Sequence, residues 1–189
     1  MKSGQSGTVA SGPLSARCAD PAGDLDPSRS AELDLVDVAL EAVSDGLYVR
    51  FEVQGTPAAA AAHRYSSSWQ VLLTDGSNIL YVISISSAGS DAGNAGWHAS
   101  LSNFSGRGDH YSHPIGAPVG PLVDFTVPAG QLGALPESFT WWASAVSEDP
   151  AASDRSVADV CPDTVAAAIF DEGDDAFMPP VLRQATFPA

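Results

Sequence analysis

The sequence predicts an all-β protein, an antiparallel β-sandwich of jelly-roll-like form. Apolar and polar residues alternate in short runs separated by Gly, Pro, Asp and Asn, as they do in half-buried antiparallel strands. Within these runs no long stretch repeats its apolar residues with the period of a helix. Both observations favour two packed sheets over an α/β arrangement.

The clearest strand covers residues 47–53, where Leu, Val, Phe and Val face one side and polar residues face the other. Before it, residues 33–42 alternate in two opposite phases that meet near Leu35, as a β-bulge would produce. Residues 44–46, Ser-Asp-Gly, supply a hairpin turn between these two strands.

A second hairpin is predicted from residues 69–73 and 79–85, joined by the turn sequence Asp-Gly-Ser-Asn at 75–78. Its strands are rich in aromatic and β-branched residues, which pack well on a pleated surface. We expect both strands to be largely buried.

The later part of the domain contains three more predicted strands, at residues 97–101, 122–127 and 139–145. Residues 129–133 are too few for a full helix and suit a single helical turn that crosses the end of the sandwich. We expect Pro128 to end the strand before it.

Composition divides the chain into three parts. Residues 1–17 are rich in Ser and Gly and indicate a flexible leader, and residues 18–163 form the predicted domain. Residues 164–189 are predicted to be an acidic, Pro-containing tail or docking segment, with a short helix at 164–170. The chain starts without the apolar stretch of a secretory signal peptide.

The charge balance excludes two classes of partner. With 8 Lys and Arg against 23 Asp and Glu, the formal net charge of the 189 residues is −15. Nucleic acids and anionic membrane surfaces attract basic patches, so neither is expected to bind this chain. No apolar run is long enough to insert into a membrane.

The sequence contains no recognisable catalytic centre, so we expect a non-enzymatic protein. It has no Gly-x-Ser-x-Gly nucleophile elbow and no glycine-rich phosphate loop. Its adjacent acidic pairs lie in turn-like or tail-like sequence, which argues against a glycosidase. His110 and His113 lack a third convergent ligand for zinc.

Aromatic side chains are the candidates for ligand binding. Exposed Trp and Tyr rings offer flat platforms on which the C–H face of a sugar can stack. Tyr48, Trp97, Tyr111 and Trp142 are the predicted platform residues. Because Trp141 and Trp142 are adjacent in a strand, one of them must face the core. Ordinary packing is the alternative interpretation for all of these rings.

Two cysteines, Cys18 and Cys161, lie near the two ends of the patterned region. Such a pair is compatible with one long-range disulfide, which would indicate an oxidising compartment. Two buried free thiols are the alternative.

Several segments resemble a family of β-sandwich accessory modules in bacterial secreted and cell-surface proteins, broadly similar to carbohydrate-binding (CBM9-like) and DOMON-like sandwiches. The resemblance extends over residues 18–163. The matching segments are residues 20–24 (Asp-Pro-Ala-Gly-Asp), 33–38, 38–55, 123–133 and 159–163 (Asp-Val-Cys-Pro-Asp). The resemblance implies the fold, and it does not transfer a function.

The resemblance also implies that the first and last strands lie side by side. Cys18 precedes the opening motif and Cys161 lies within the closing one, so a bridge between them would join these strands. Acidic residues of the two motifs would then converge, and a cluster of carboxylates calls for a cation such as Ca²⁺. The predicted ligands are Asp20, Asp24, Asp159 and Asp163, with Asp34 and Asp37 in reserve. The alternative is that these residues cap turns.

These inferences predict a non-catalytic, calcium-stabilised module at the cell surface or outside the cell, with a polysaccharide or surface glycan as ligand. A second hypothesis is a structural or assembly protein whose copies associate through sheet edges or through the C-terminal segment.

Overall fold

The fold is described from a computed structural model of the chain. The structure describes residues 15–25, 29–57, 66–75, 78–88, 96–104, 109–132, 139–149 and 154–161. These residues form ten strands, a short 3-10 helix at Ala31–Leu33 and one helical turn, α1, at Ala129–Leu132. The strands are β1 (Ser15–Ala19), β2 (Leu35–Val43), β3 (Gly46–Val53), β4 (Ser66–Thr74), β5 (Ile79–Ala88), β6 (Gly96–Asn103), β7 (His110–Ile115), β8 (Leu122–Pro128), β9 (Thr140–Asp149) and β10 (Asp154–Cys161).

The strands build two antiparallel sheets that pack face to face, which confirms the predicted β-sandwich. Sheet A has four strands in the order β1-β2-β3-β8. Sheet B has six strands in the order β10-β9-β4-β5-β6-β7. The first strand therefore lies at one edge of sheet A, and the last described strand lies at one edge of sheet B.

The core lies between the sheets and follows the predicted alternation. In β3 the side chains of Leu47, Val49, Phe51 and Val53 are essentially inaccessible to solvent. Aromatic residues of sheet B fill the middle of the layer, where the rings of Trp69 and Trp97 stack with centroids 5.7 Å apart. Burial of large side chains at this density supplies most of the favourable free energy of folding.

Local features of the sequence explain the connections. The register between β2 and β3 shifts between Leu35 and Asp37, which confirms the predicted bulge. Position 46, directly after the first hairpin turn, requires glycine. A Cβ atom there would lie 1.9 Å from the carbonyl oxygen of Val127. The Tyr81 hydroxyl donates a hydrogen bond to the carbonyl of Leu132 and anchors α1 over the end of the sandwich.

Three strands depart from the sequence prediction. β1 begins at Ser15, so residues 15–17, assigned to the leader, belong to sheet A. β7 and β10 were not predicted from the alternation of apolar residues, yet each pairs along its length with a neighbouring strand. All three are edge strands, and an edge strand buries fewer side chains, so its apolar alternation is weak.

Candidate functional site

The two sheets are joined at one edge by a disulfide. Cys18 of β1 and Cys161 of β10 are bonded, with their Cα atoms 6.1 Å apart and a separation of 143 positions in sequence. Both cysteines are buried. The predicted disulfide is therefore present, and it holds the opening and closing segments of the described domain side by side.

A bulge in β10 decides which way Asp159 points. The register between β10 and β9 shifts between Val157 and Asp159, so Ala158 is an extra residue in the ladder. Because side chains alternate along a strand, this insertion turns Asp159 to the inner side, the side that Cys161 also faces. Without the bulge, Asp159 would point to the outer face of sheet B.

The turn after β1 supplies the other acidic residues. The backbone N–H of Asp20 donates to the carbonyl of Val36, which holds this turn against β2. Gly23 has a φ of 88°, a left-handed conformation that glycine adopts without strain, and the turn continues to Asp24. Carboxylate oxygens of Asp20, Asp24 and Asp159 all lie within 4.8 Å of one another. We call these three residues the acidic cluster.

Asp159 is the most constrained member of the acidic cluster. Its Oδ2 accepts a hydrogen bond from the backbone N–H of Leu35 at 2.6 Å, and its Oδ1 accepts one from Val160 at 2.8 Å. Burial raises the pKa of the Asp159 carboxyl to about 6, an effect that the charges of Asp24 and Asp34 reinforce and these two hydrogen bonds oppose. The site therefore bears a cost for its negative charge near neutral pH.

Asp34 is a fourth carboxylate that faces the same turn. Its side chain is 2% exposed, and its Oδ2 accepts a hydrogen bond from the N–H of Gly23 at 2.9 Å. Its Oδ1 is buried and makes no hydrogen bond within the described part of the chain. A buried carboxylate oxygen without a hydrogen-bond donor is costly, and a cation is one group that can satisfy it.

This arrangement fits the coordination chemistry of Ca²⁺. Calcium takes 6 to 8 oxygen ligands from carboxylates, backbone carbonyls and water, and it tolerates irregular geometry. The acidic cluster offers three carboxylates, with Asp34 beside them.

The predicted ligand set is brought together only in part. Asp20, Asp24 and Asp159 meet as expected, whereas Asp163 lies outside the described residues. Asp37 is excluded from the site, because its carboxylate is held by two arginines on the outer face of sheet A: Arg17, and Arg50 at 2.9 Å. Charge pairing of Asp37 across three strands was not visible in the sequence because it depends on strand order.

The outer face of sheet A presents a second ordered set of polar side chains. Arg17 and Arg50 converge on Asp37, and the hydrogen bond to Asp37 raises the pKa of Arg17. On the neighbouring strands, the Tyr48 hydroxyl donates to Asp124 at 2.8 Å. Burial, with this hydrogen bond, raises the pKa of Tyr48 to about 12 and keeps its hydroxyl protonated.

The four predicted platform residues occupy separate places. Tyr48 is half-buried on the outer face of sheet A. Tyr111 is half-buried on β7 of sheet B, with its ring stacked on that of His113 at 6.2 Å. Trp97 is 5% exposed in the core and Trp142 is 7% exposed on the outer face of sheet B. Trp97 and Trp142 are thus buried rather than exposed, which corrects the prediction that they form a sugar platform.

Comparisons with protein-family models, with curated proteins and with solved structures find no match to this chain. Among the described residues, no helix has the length and apolar character needed to cross a membrane.

Proposed function

We propose that this protein is a non-catalytic, calcium-stabilised binding module that works outside the cell or at its surface. The observation that carries the calcium part is the convergence of Asp20, Asp24 and Asp159, with the buried Oδ1 of Asp34 beside them. The disulfide supports the location, since such bonds persist in oxidising compartments and are rare in the cytosol.

Calcium would neutralise a cost that the acidic cluster carries by itself. Carboxylates held this close repel one another, and burial of Asp159 adds a desolvation penalty. The cluster also joins the turn after β1 to β10, so a bound ion would link the edges of both sheets. A calcium ion should therefore stabilise the whole fold as well as its own ligands.

Thermal unfolding with excess chelator and then with millimolar calcium tests this proposal. A ligand present at a hundredfold excess over its Kd should raise the midpoint by about 5 to 10 °C. Asp24→Asn should abolish the rise because it removes an exposed ligand of the acidic cluster. Asp109→Asn is the matched control, since Asp109 is also exposed but lies next to β7. A midpoint that calcium leaves unchanged would contradict the calcium site.

For the ligand, we propose a neutral polysaccharide or surface glycan that binds on the outer face of sheet A. Tyr48 supplies a half-exposed ring whose hydroxyl is fixed by Asp124, and Arg50 on the same strand is fixed by Asp37. Side chains that are already held by hydrogen bonds lose little conformational entropy on binding. Sugar rings would stack on Tyr48 while the charged groups beside it bind hydroxyls.

Binding to a panel of immobilised glycans, followed by titration of any that bind, tests this surface. Tyr48→Ala should weaken the affinity about three- to tenfold, the expected loss of one stacking contact. Tyr111→Ala is the control, because Tyr111 lies on the other sheet. Equal losses for the two variants, or a loss for Tyr111→Ala alone, would place the binding surface elsewhere.

A further inference from the structure

A strip of side chains on the outer face of sheet B is buried although this face lies outside the sandwich core. Trp142, Ser144 and Val146 alternate along β9 and point away from sheet A, since the intervening Ala143 and Ala145 belong to the core. Leu72 of β4 and Val160 of β10 flank them in register. The exposures are 5% for Leu72, 7% for Trp142, 2% for Ser144, 3% for Val146 and 1% for Val160. We call these five residues the covered strip.

Neighbours within one sheet do not explain this burial. A valine or tryptophan on the open face of a sheet keeps much of its surface in contact with water, and Val82 beside the covered strip is only half-buried. Among the described elements, sheet A lies against the opposite face of sheet B, and no strand or helix is layered over β9. Some other part of the molecule must therefore shield the covered strip.

The Trp142 indole gives a second, independent sign of a covering layer. Its Nε1 is buried and has no hydrogen-bond acceptor within the described residues. An N–H group on an open sheet face would be in contact with water, so the burial of this atom agrees with a layer that excludes water from the indole.

We propose that residues 164–170 of the same chain pack over the covered strip as a third layer. The described part of β10 ends at Cys161, which is in register with Ala143, so the next ladder position is opposite Trp142. The chain therefore leaves sheet B at one end of the covered strip. Residues 164–170 are Thr-Val-Ala-Ala-Ala-Ile-Phe, the first apolar run after β10, and the largely acidic residues 171–175 follow.

The length of this segment matches the covered strip. From Trp142 to Val146 the strand rises about 13 Å, whereas seven residues span about 10 Å as a helix and about 23 Å when extended. A second copy of the chain is not needed to shield the strip, because the burial is that of a single chain. A tethered segment also acts at a high effective concentration, which favours contact within one molecule.

The test measures the accessibility of Trp142 in the full-length protein. Acrylamide quenching of tryptophan fluorescence is measured for the unmodified protein and for each variant, with and without the additional change Trp142→Phe. The difference within each pair reports on the Trp142 ring alone. Ile169→Asp should raise the quenching of Trp142 to that of an exposed indole and lower the unfolding midpoint by about 5 °C. Phe187→Asp is the matched control, since it makes the same kind of change further along the tail and should alter neither quantity.

Hydrogen exchange of the unmodified protein provides a measurement that needs no variant. Amides of residues 164–170 should exchange more slowly than those of residues 171–189. Equal and fast exchange along the whole tail, or a Trp142 that stays shielded in Ile169→Asp, would overturn the proposal. So would shielding that disappears on dilution while sedimentation shows dimers dissociating, because the covering layer would then be a second copy.

Discussion

Replacing both cysteines, as Cys18→Ala together with Cys161→Ala, will lower the free energy of unfolding by about 4 to 5 kcal/mol. The bond joins residues that are 143 positions apart, and closing so long a loop lowers the conformational entropy of the unfolded chain. The bond also joins two edge strands, each of which has only one hydrogen-bonded neighbour in its sheet.

Thermal unfolding of the double variant and of the oxidised protein measures this effect, and the midpoint should fall by about 10 °C or more. Reduction and alkylation of the unmodified protein is the control, because it breaks the same bond without changing the sequence around it. If the midpoints of the double variant and of the oxidised protein differ by less than about 2 °C, packing of the two sheets is enough to hold β1 and β10 together. The predicted entropic effect of the disulfide would then be wrong.

Without calcium, the protein will become more stable as the pH falls from about 7 to about 5. Burial raises the pKa of Asp159 in the folded state to about 6, above its ordinary value of 3.8, so the folded state binds a proton more tightly than the unfolded state does. The stability that this proton contributes is fully present below the pKa that Asp159 has in the unfolded chain. It is lost as the pH rises through the pKa that Asp159 has in the folded protein. With calcium the trend should weaken or reverse, because the metal needs the deprotonated carboxylate.

Unfolding midpoints measured across this pH range, with chelator and with calcium, test the prediction. The increase in the unfolding midpoint caused by calcium should be small near pH 5 and largest near pH 7, because protonation of Asp159 competes with the metal. Asp159→Asn should flatten the chelator curve, whereas the exposed Asp109→Asn should leave its shape unchanged. A chelator curve that falls steadily on acidification in this range would contradict the raised pKa of Asp159.

The acidic cluster shows where sequence reasoning stops. Asp20 and Asp159 were predicted to be neighbours because the resemblance places their motifs beside Cys18 and Cys161, whose bridge would join the two segments. The role of Asp34 and the exclusion of Asp37 were not predictable from the sequence. Their surroundings depend on the hydrogen bond to Gly23 and on two arginines from other strands.

The aromatic residues show the same limit. Adjacent Trp141 and Trp142 had to face opposite sides of a strand, and they do. The sequence could not indicate that the outward-facing ring is buried as well, since that depends on what lies over β9. Trp97 was proposed as a platform residue, with ordinary packing as the alternative, and its ring stacks on Trp69 in the core.

By itself, the sequence determined that this chain forms a β-sandwich, which side of β3 faces the core and where the first two hairpins turn. These features follow from a two-residue period and from turn residues, both of which act over a few positions of the chain. Only the tertiary structure decided that a bulge turns Asp159 inward and that Asp37 is paired away from the acidic cluster. Each of these depends on strand order and register, which contacts between distant segments select and no local pattern encodes.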